Sequence, residues 1–559
     1  MTSTIEAIEL HLRSYRSALQ STLELTINSL TNSHLKMDSV LHPHGSDPNV
    51  VDTAALIYSI FRLPAAIDQA DKVIIGQTPE VFIEAGFSTV LSWSRVTSPA
   101  RRRSMHFSKS AGILACFAGS ISDIDDLVNL LIAYQHEWNK FHQLLNQKYK
   151  SFNEVTKALT DNTLHSSLDI SQDDWQRLTI ALGTSWQSRL KHIYREKRNL
   201  RLQLLAGSWV DYTKATQRWW KNIAQTTTNQ CHLSDQKIYF VSSNSHCLLN
   251  LISGFAVKNQ KEIIGLIRAQ YPELYSIWQQ IQNKENFLHP NDFLYYASKF
   301  FLQDISNQIL YKQLQSNLNV LTIPSAHYLD INTQIFPLKT LAQSHHLDNR
   351  LKISHRNLLK KSSAIIFNID YPLGFTAYHI LNEILENVHQ VKGVYILGKA
   401  AVLNSEIGDI QIPRVVFDEH TQNTYMFNNC FNSFFPFANN QGSILTHQKA
   451  VSVLGTFLEN EALLQKYSEN NLTVIEMESG PYLSAVTEAT YDQQTPKNTI
   501  VDLNSSPFDI GIVNYTSDTP YSKAKNLGSH SLTLNGVEPV YLGSLAILQR
   551  IIDLEEKQS

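Results

Sequence analysis

The sequence predicts an α/β protein in which a mixed sheet flanked by helices is preceded by an all-helical amino-terminal domain. Three observations lead to this prediction. Residues 1–230 carry apolar side chains at helical spacing, and from Lys237 onward short β-rich runs alternate with helical patterns. The length of 559 residues also exceeds what one core can hold. We therefore divide the chain into a helical domain at 1–230 and an α/β domain at 231–559.

The prediction of an all-helical first domain depends on two long amphipathic stretches at 123–149 and 175–205, where apolar residues recur every three to four positions. Polar, turn-forming segments interrupt the periodicity between such stretches. No motif indicates what this domain does, and a regulatory lid and an oligomerisation platform both remain open.

In the second domain, β-rich runs are separated by helical patterns, which is typical of a parallel or mixed sheet covered by helices. Ligands of such sheets bind at the carboxyl ends of the strands. The predicted strands lie at 237–243, 319–325, 363–370, 393–398, 410–418, 471–477 and 509–517, and the clearest helices at 375–388, 461–470 and 540–557.

Composition restricts the partners and the compartment. Hydrophobic residues make up 43% and charged residues 17%, and the net charge of −3 gives no overall attraction to nucleic acid or to an anionic membrane. The cysteines are few, far apart and without CxxC spacing, so we expect a reducing cytoplasm. No run of 18 apolar residues occurs, and we expect no membrane span.

The segment VIEMESGPYLSAV places Glu476, Met477 and Glu478 between a buried-looking strand and a helix. Two carboxylates at a strand end are costly unless a ligand or a partner compensates them. One carboxylate can accept hydrogen bonds from both vicinal ribose hydroxyls while the methionine packs on the sugar. The alternative is a solvated loop, or a charge pair at the start of a helix.

The segment IVNYTSDTP ends a second strand in a polar turn that presents Asp518. A carboxylic acid in a dry pocket can protonate a leaving group, which for a purine would be a nitrogen of the base. By spacing alone, a Ser-Asp turn or helix cap explains this residue more simply.

Two further segments contain small residues next to predicted strands. In GVYILGKAAVLNSEIGDIQIP we expect the strand to turn at Gly398, where small residues allow backbone amides to approach an anion or a sugar. The segment FNIDYPLGFTAYHILNEIL is a strand, a turn with Pro372 and Gly374, and a helix.

These four segments, in this order, resemble the nucleoside phosphorylase and nucleosidase superfamily, and the most similar pattern is that of AMP nucleosidases. Their catalytic domain has an NIGVGPS-like turn, an MIGHCGGL-like strand followed by IGD, a DMESATIA-like strand end and a late VSDKP. Here the corresponding segments read NIDYPLG, ILGKAAVL with IGD, EMESGPYL and TSDTP. The resemblance covers about 320 residues if the match begins at KIYFVSSNSH, and about 200 for the firm motifs.

The resemblance implies a nucleoside-phosphorylase-like sheet and a role for each matching position. Glu478 corresponds to the ribose-binding glutamate, Met477 to the methionine that packs on the sugar, and Asp518 to the acid that protonates the departing base. Glu476 would support the site. Gly398, Lys399, Asp370, Ser243 and His246 complete the expected substrate-binding set, in which Lys399 or His246 supplies a cation. No cofactor is implied, and relatives commonly assemble into homo-oligomers.

The sequence also departs from the pattern of the superfamily. The phosphorylases grip phosphate with arginines, but the first loop here reads SSNSH and Ile396 stands two residues before Gly398. An arginine that many hydrolases place four residues before the aspartate is Asn514 here. We therefore expect hydrolysis of a purine nucleoside or nucleotide, possibly AMP, while an inactive nucleotide sensor and a phosphorylase remain the alternatives.

Two signals in the first domain have simpler interpretations than a functional site. The turn HPHGSDPN offers His42, His44 and Asp47 without further ligands at suitable spacing, so we expect solvated turn residues and no metal site. The three arginines of ARRRS at 101–103 could reach a phosphate held by the other domain, but exposed loop charge is the simpler explanation.

Overall fold

The fold contains two sheets, one in each half of the chain. The computed structural model describes residues 4–21, 24–101, 103–228, 232–325, 329–344, 346–433, 435–438, 442–520 and 536–557. Within these residues, no helix has the length and apolarity needed to cross a membrane.

The amino-terminal half contains a six-stranded sheet, so the prediction of an all-helical domain at 1–230 is wrong. The strand order is β1-β6-β2-β5-β4-β3, and β6, β2 and β5 run parallel. Strands β2 and β5 are short apolar runs covered on both faces, and periodicity alone cannot distinguish such runs from buried helix. The strands are β1 Leu25–Thr26, β2 Lys72–Gly76, β3 Ser94–Val96, β4 Met105–Ser108, β5 Ile113–Phe117 and β6 Arg201–Leu204.

Helices surround this first sheet. The longest, α5, starts directly after β5, and its first turn is capped by Ser120, whose side chain accepts a hydrogen bond from the Ser122 amide. The helices are α1 Thr4–Ser21, α2 Asn28–Leu35, α3 Thr53–Arg62, α4 Pro79–Glu84, α5 Ile121–Lys148, α6 Phe152–Thr160, α7 Leu164–Ser167, α8 Gln172–Leu182, α9 Trp186–Arg195 and α10 Trp209–Thr227.

The carboxyl-terminal half contains the predicted mixed sheet, in the order β16-β13-β12-β14-β15-β11-β7-β10-β9-β8, with β17 paired to both β11 and β12. Through these pairings β11, β17, β12, β14 and β15 form a closed ring. The strands are β7 Lys237–Ser242, β8 Leu321–Ile323, β9 Thr333–Pro337, β10 Ile365–Ile369, β11 Gln390–Val402, β12 Ile410–Asp418, β13 Asn423–Met426, β14 Ile444–Ser452, β15 Val474–Glu476, β16 Ile500–Asp502 and β17 Asp509–Asp518.

The helices of this half cover the sheet. They are α11 Cys247–Ser253, α12 Phe255–Lys258, α13 Gln260–Gln270, α14 Pro272–Gln282, α15 Pro290–Phe301, α16 Ile305–Asn317, α17 Leu338–Gln343, α18 Arg356–Lys361, α19 Thr376–Asn387, α20 Glu461–Glu469, α21 Ser479–Tyr491 and α22 Val537–Lys557. Every strand predicted from the sequence in this half is present, and the predicted helices at 375–388, 461–470 and 540–557 correspond to α19, α20 and α22.

One prediction in this half is wrong. Strand β11 does not turn at Gly398 but continues to Val402, because its last residues pair with β17 and then with β15. The small residues after Gly398 therefore lie within a strand of the closed ring, where backbone hydrogen bonds hold them extended.

The apolar core of the amino-terminal half extends into the other half. Buried side chains of β14, β15 and α20, including Val451, Leu464 and Ile475, join the cluster formed by the first sheet and its helices. In the opposite direction, Trp219 and Trp220 of α10 pack in the core of the second sheet. The two halves are therefore continuous in packing.

Candidate functional site

The predicted site residues lie around the carboxyl end of β11. Strand β7 pairs in parallel with β11 up to Ser242, which lies opposite Ile396. Beyond that point β15 pairs with β11 in place of β7, and Ile475 lies opposite Ala401. On the other flank β17 runs parallel to β11, and Asp518 is also opposite Ala401. The residues that follow β15 and those that end β17 therefore flank the same strand.

Glu478 occupies the position just before α21 and is half-buried. Its Oε1 accepts a hydrogen bond of 3.2 Å from the Gly374 amide, in the turn that follows β10. Burial raises the pKa of Glu478 to about 8, and the charge of Glu476 adds to the rise, while the Gly374 amide and the Lys399 cation oppose it. This carboxyl is therefore poised to change charge near neutral pH.

Glu476 supports the start of α21. Its Oε2 accepts hydrogen bonds of 2.7 Å from the amides of both Glu478 and Ser479, and its Oε1 accepts from the Ser452 hydroxyl. Burial raises the pKa of Glu476, and these hydrogen bonds oppose the rise. Since both oxygens are used inside the protein, Glu476 acts as a helix cap and not as a ligand for a sugar.

Met477 and Gly374 lie side by side. Gly374 has a φ of +50°, and a β-carbon built on it would lie 3.8 Å from Cε of Met477 and only 2.4 Å from Oγ of Ser122. Glycine is therefore required both by the backbone conformation and by the close approach of Ser122, a residue of the other half. The motif NIDYPLG thus folds into a turn that contacts Met477, Glu478 and α5.

Gly398 and Lys399 lie within β11, next to the end of β15. The Lys399 side chain is exposed, and its charge acts on Glu478. Gly398 faces Asn514 of β17, whose Oδ1 would lie 3.1 Å from a β-carbon at the glycine. The Nδ2 of Asn514 is buried and has no hydrogen-bond partner among the described residues, so this amide points a donor into the region beside Gly398.

Asp518 is the last residue of β17 and is half-buried. The Ser517 hydroxyl donates a hydrogen bond of 3.1 Å to its Oδ2. Burial raises the pKa of Tyr58, on α3, and the negative charge of Asp518 raises it further. The Asp518 carboxylate therefore lies near this residue of the amino-terminal half. Glu478 and Asp518 therefore lie on opposite flanks of β11, and each is near a residue of that half.

Two other predicted binding residues, Ser243 and His246, belong to the loop after β7, and a third, Asp370, follows β10 and contacts this loop. The Ser243 hydroxyl donates to Oδ1 of Asn368 at 2.7 Å, and Asp370 accepts from the Ser245 amide at 2.9 Å and from Nδ2 of Asn332 at 3.0 Å. His246 is exposed at the start of α11. Ser243 and Asp370 are buried, so of these three His246 is best placed to meet a ligand.

Two of the arginines of ARRRS, Arg101 and Arg103, are not exposed loop charge as the sequence suggested, and the third, Arg102, lies outside the described residues. Arg101 and Arg103 are both buried, and each pairs with Asp123 in the first turn of α5. Arg103 also donates to the carbonyl of Leu329 and to Oγ1 of Thr376, at 3.4 Å for the second. These cations bind protein groups, so we remove them from the candidate phosphate ligands.

The turn HPHGSDPN also differs from its prediction at one residue. His42 is buried, with Nε2 at 2.8 Å from Oε1 of Glu137 and Nδ1 at 3.1 Å from Nε2 of His34. Among the residues with described positions, no group of three or more histidine, cysteine, aspartate or glutamate side chains has the arrangement of a metal site.

Three side chains that no sequence motif indicated meet at the turn that holds Glu478. Ser122 of α5 lies 3.2 Å from Nε2 of His420, and Nδ1 of His420 lies 2.8 Å from Oδ1 of Asp418 at the end of β12. A strand ending at Asp418 was predicted, but Ser122 is contributed by a strand-to-helix connection that helical periodicity concealed. Only the tertiary structure brings the three together.

Two cavities lie away from this site. One of about 590 Å³ surrounds Asp509 and Arg550 at the beginning of β17, which is the end opposite to Asp518. Another of about 490 Å³ lies between α1 and α20, and its walls include Phe417 and Tyr467. Neither includes a predicted site residue.

A family described as a "Family of unknown function (DUF6909)" matches residues 27–553. No curated protein matches the chain. The solved structures that are similar include a 5′-methylthioadenosine/S-adenosylhomocysteine nucleosidase from S. pneumoniae, with 12% identity, 41% of this chain and 90% of the other covered, and a TM-score of 0.28.

A uridine phosphorylase from Schistosoma mansoni has 12% identity, with 58% of this chain and 88% of the other covered and a TM-score of 0.29. An S-adenosylhomocysteine nucleosidase from Streptococcus pyogenes has 10% identity, with 57% of this chain and 99% of the other covered and a TM-score of 0.30. Similarities of this size decide neither activity nor substrate. The chain belongs to the DUF6909 family, whose match spans most of its length.

Proposed function

We propose that this protein is a nucleosidase that hydrolyses the N-glycosidic bond of a purine nucleoside or nucleotide. Glu478 accepts hydrogen bonds from the ribose hydroxyls, Met477 packs against the sugar, and Asp518 protonates the departing base. The transition state has oxocarbenium character, so holding the sugar and neutralising the leaving group are the two contributions that lower its energy.

The observation that carries this proposal is the environment of Glu478. Its carboxyl is half-buried between the end of β11 and the start of α21, where the Gly374 and Met477 amides and the Lys399 charge offset its burial only in part. Burying a carboxylate with so few compensating contacts costs several kcal/mol, on the order of 2–4. A ligand that donates hydroxyl groups to this carboxylate would supply what the protein does not.

Water is the acceptor in this proposal. The loop after β7 reads SSNSH and holds no arginine, and Arg101 and Arg103 are occupied by Asp123 and by protein oxygens. Lys399 and His246 are both exposed near these strand ends, where the lysine charge and an imidazole N–H are suited to a 5′ substituent with negative charge. AMP is the substrate we propose first, because the motif pattern resembles AMP nucleosidases.

A nucleotide sensor without catalysis is the second candidate. One observation favours it: two arginines of the superfamily pattern are replaced near Gly398, by Ile396 and by Asn514. A sensor needs no acid at the base, so the requirement for Asp518 separates the two candidates.

The test is to incubate the purified protein with a panel of nucleosides and nucleotides, with and without phosphate, and to measure free base by chromatography. We expect release of adenine from AMP without phosphate. Release that requires phosphate would replace hydrolysis with phosphorolysis. Binding of AMP without any release, at every pH tested, would establish the sensor instead.

A further inference from the structure

A chain of hydrogen bonds connects β12 to the turn that holds Glu478, and it passes through a residue of the amino-terminal half. Asp418 contacts His420, His420 contacts Ser122, and Oγ of Ser122 accepts a hydrogen bond of 2.9 Å from the Phe375 amide. Phe375 follows Gly374, whose own amide donates to Glu478. The chain therefore ends one residue from the Gly374 amide that donates to Oε1 of Glu478.

The direction of each hydrogen bond follows from the partners. Asp418 accepts from the His420 amide at 3.1 Å and from the Thr421 hydroxyl at 2.7 Å, so it acts as an acceptor throughout. The Nδ1 of His420 therefore donates to Asp418, which leaves Nε2 as an acceptor for the Ser122 hydroxyl. Because that hydroxyl proton points to His420, the oxygen lone pairs of Ser122 face the Phe375 amide.

An Asp-His-Ser arrangement also suggests a nucleophilic serine, but the surroundings of Ser122 argue against that role. Ser122 is fully buried, and its Oγ is in close contact with Gly374 and the Phe375 amide. No substrate atom fits between these groups without displacing the turn. The arrangement is instead suited to fixing a hydroxyl oxygen in one orientation.

We propose that Ser122, oriented by His420 and Asp418, is a positioning residue through which the amino-terminal half holds the Gly374 turn against Glu478. Only the effect of Ser122 on catalysis rests on the proposed function. The positioning itself is a property of the structure and can be measured without substrate.

Several groups face the Glu478 carboxyl. Glu476 approaches it from β15, Lys399 from β11, Tyr482 from α21, and the Gly374 amide from the turn after β10. Among these, only the Gly374 amide depends on Ser122. Loss of Ser122 should therefore weaken one stabilising contact of the ionised carboxylate and leave the charges of Glu476 and Lys399 in place.

The experiment is a pH titration of carboxyl-labelled glutamate by ¹³C NMR on the full-length protein, with Glu478→Gln to assign the resonance. Since one weakened hydrogen bond corresponds to about 0.5–1 pH unit, we expect the Glu478 midpoint to rise by about that amount in Ser122→Ala. In His420→Leu we expect a smaller rise, because Ser122 still accepts from Phe375. The control Ser544→Ala removes a buried hydroxyl in α22 and should leave the midpoint unchanged.

An unchanged Glu478 midpoint in Ser122→Ala would overturn the positioning role, whether or not the protein cleaves nucleosides. The same shift in Ser544→Ala would also overturn it, because a general loosening of the fold would then be the cause. If wild-type protein releases no base from any substrate but Ser122→Ala shifts the midpoint, the proposed function fails and the positioning role stands. If the protein releases base, the plot of kcat against pH should rise at a higher pH in Ser122→Ala than in wild type. The displacement should equal the shift of the Glu478 midpoint.

Discussion

At the scale of single residues, Glu476 and Glu478 show how two neighbouring carboxylates take different roles. Glu476 has hydrogen-bond donors on both oxygens and caps α21. Glu478 accepts from the Gly374 and Met477 amides, and burial nevertheless raises its pKa to about 8. The sequence indicated that one of the pair supports the other, but only the geometry shows that Glu476 is unavailable to a ligand.

The raised pKa of Glu478 predicts a pH-dependent cost to stability. The folded carboxyl titrates at about 8 against an ordinary value of 4.5, so between these pH values the folded protein holds a proton that the unfolded chain has released. Stability from this group is therefore lost as the pH rises through that window. Glu478→Gln should be more stable than wild type by on the order of 2 kcal/mol at about pH 8.5, and close to wild type at about pH 4.5.

Urea denaturation of both proteins at several pH values measures this difference. Glu24→Gln serves as the control, since the Glu24 carboxyl has its pKa lowered by Lys72 and belongs to a distant exposed pair. If Glu478→Gln and wild type lose stability in parallel as the pH rises, Glu478 does not titrate in the way described.

At the scale of elements, the first turn of α5 joins the two halves. Asp123 is fully buried there and is paired with Arg103, whose guanidinium also reaches Leu329 and Thr376 of the other half. Removing one partner of a buried ion pair leaves an uncompensated charge, which is far more costly than losing an exposed pair.

We therefore expect Arg103→Met to lower the free energy of unfolding by about 3 kcal/mol. The matched control is Arg13→Met, because Arg13 and Glu9 form an exposed pair on α1 and their loss should cost about 0.5 kcal/mol or less. Chemical denaturation compares the two variants. Equal losses would show that the contacts of Arg103 do not join the halves.

The sequence predicted the elements best where one pattern dominated. The run IQIPRVVFD became β12 with the same bounds, since alternating β-branched residues favour a strand. The runs KVIIG and ILACF were missed because such short apolar runs fit a buried strand or a helix equally well, and only the parallel pairing of β2 with β5 decides. The turn expected at Gly398 failed for the same reason, since the pairing of Ala400 with Thr516 extends β11 beyond it.

At the scale of the whole molecule, the two halves share an apolar core. Leu464 of α20 is buried within the cluster built by the first sheet, although it lies more than 200 residues further along the chain. This continuity explains how an amino-terminal half with no recognisable motif can place Ser122 and Tyr58 beside the site. The division at residue 230 therefore separates the two sheets along the chain, but it does not separate the apolar core into two.

Leu464→Ala tests this continuity. We expect it to lower the free energy of unfolding by about 3 kcal/mol and to reduce hydrogen-exchange protection in α5 as well as in α20. Leu310→Ala, at an exposed position of α16, should cost about 0.5 kcal/mol or less. Protection lost only in α20 would show that the halves unfold independently.

The central claim is that Glu478 and Asp518 act together on one N-glycosidic bond. The most direct measurement is the rate of adenine release from AMP, without phosphate, by wild type, Asp518→Asn and Glu478→Ala, with folding checked by circular dichroism. We predict release by wild type and a loss of about 100-fold or more in each variant. Wild-type rates in a correctly folded Asp518→Asn variant would contradict the account.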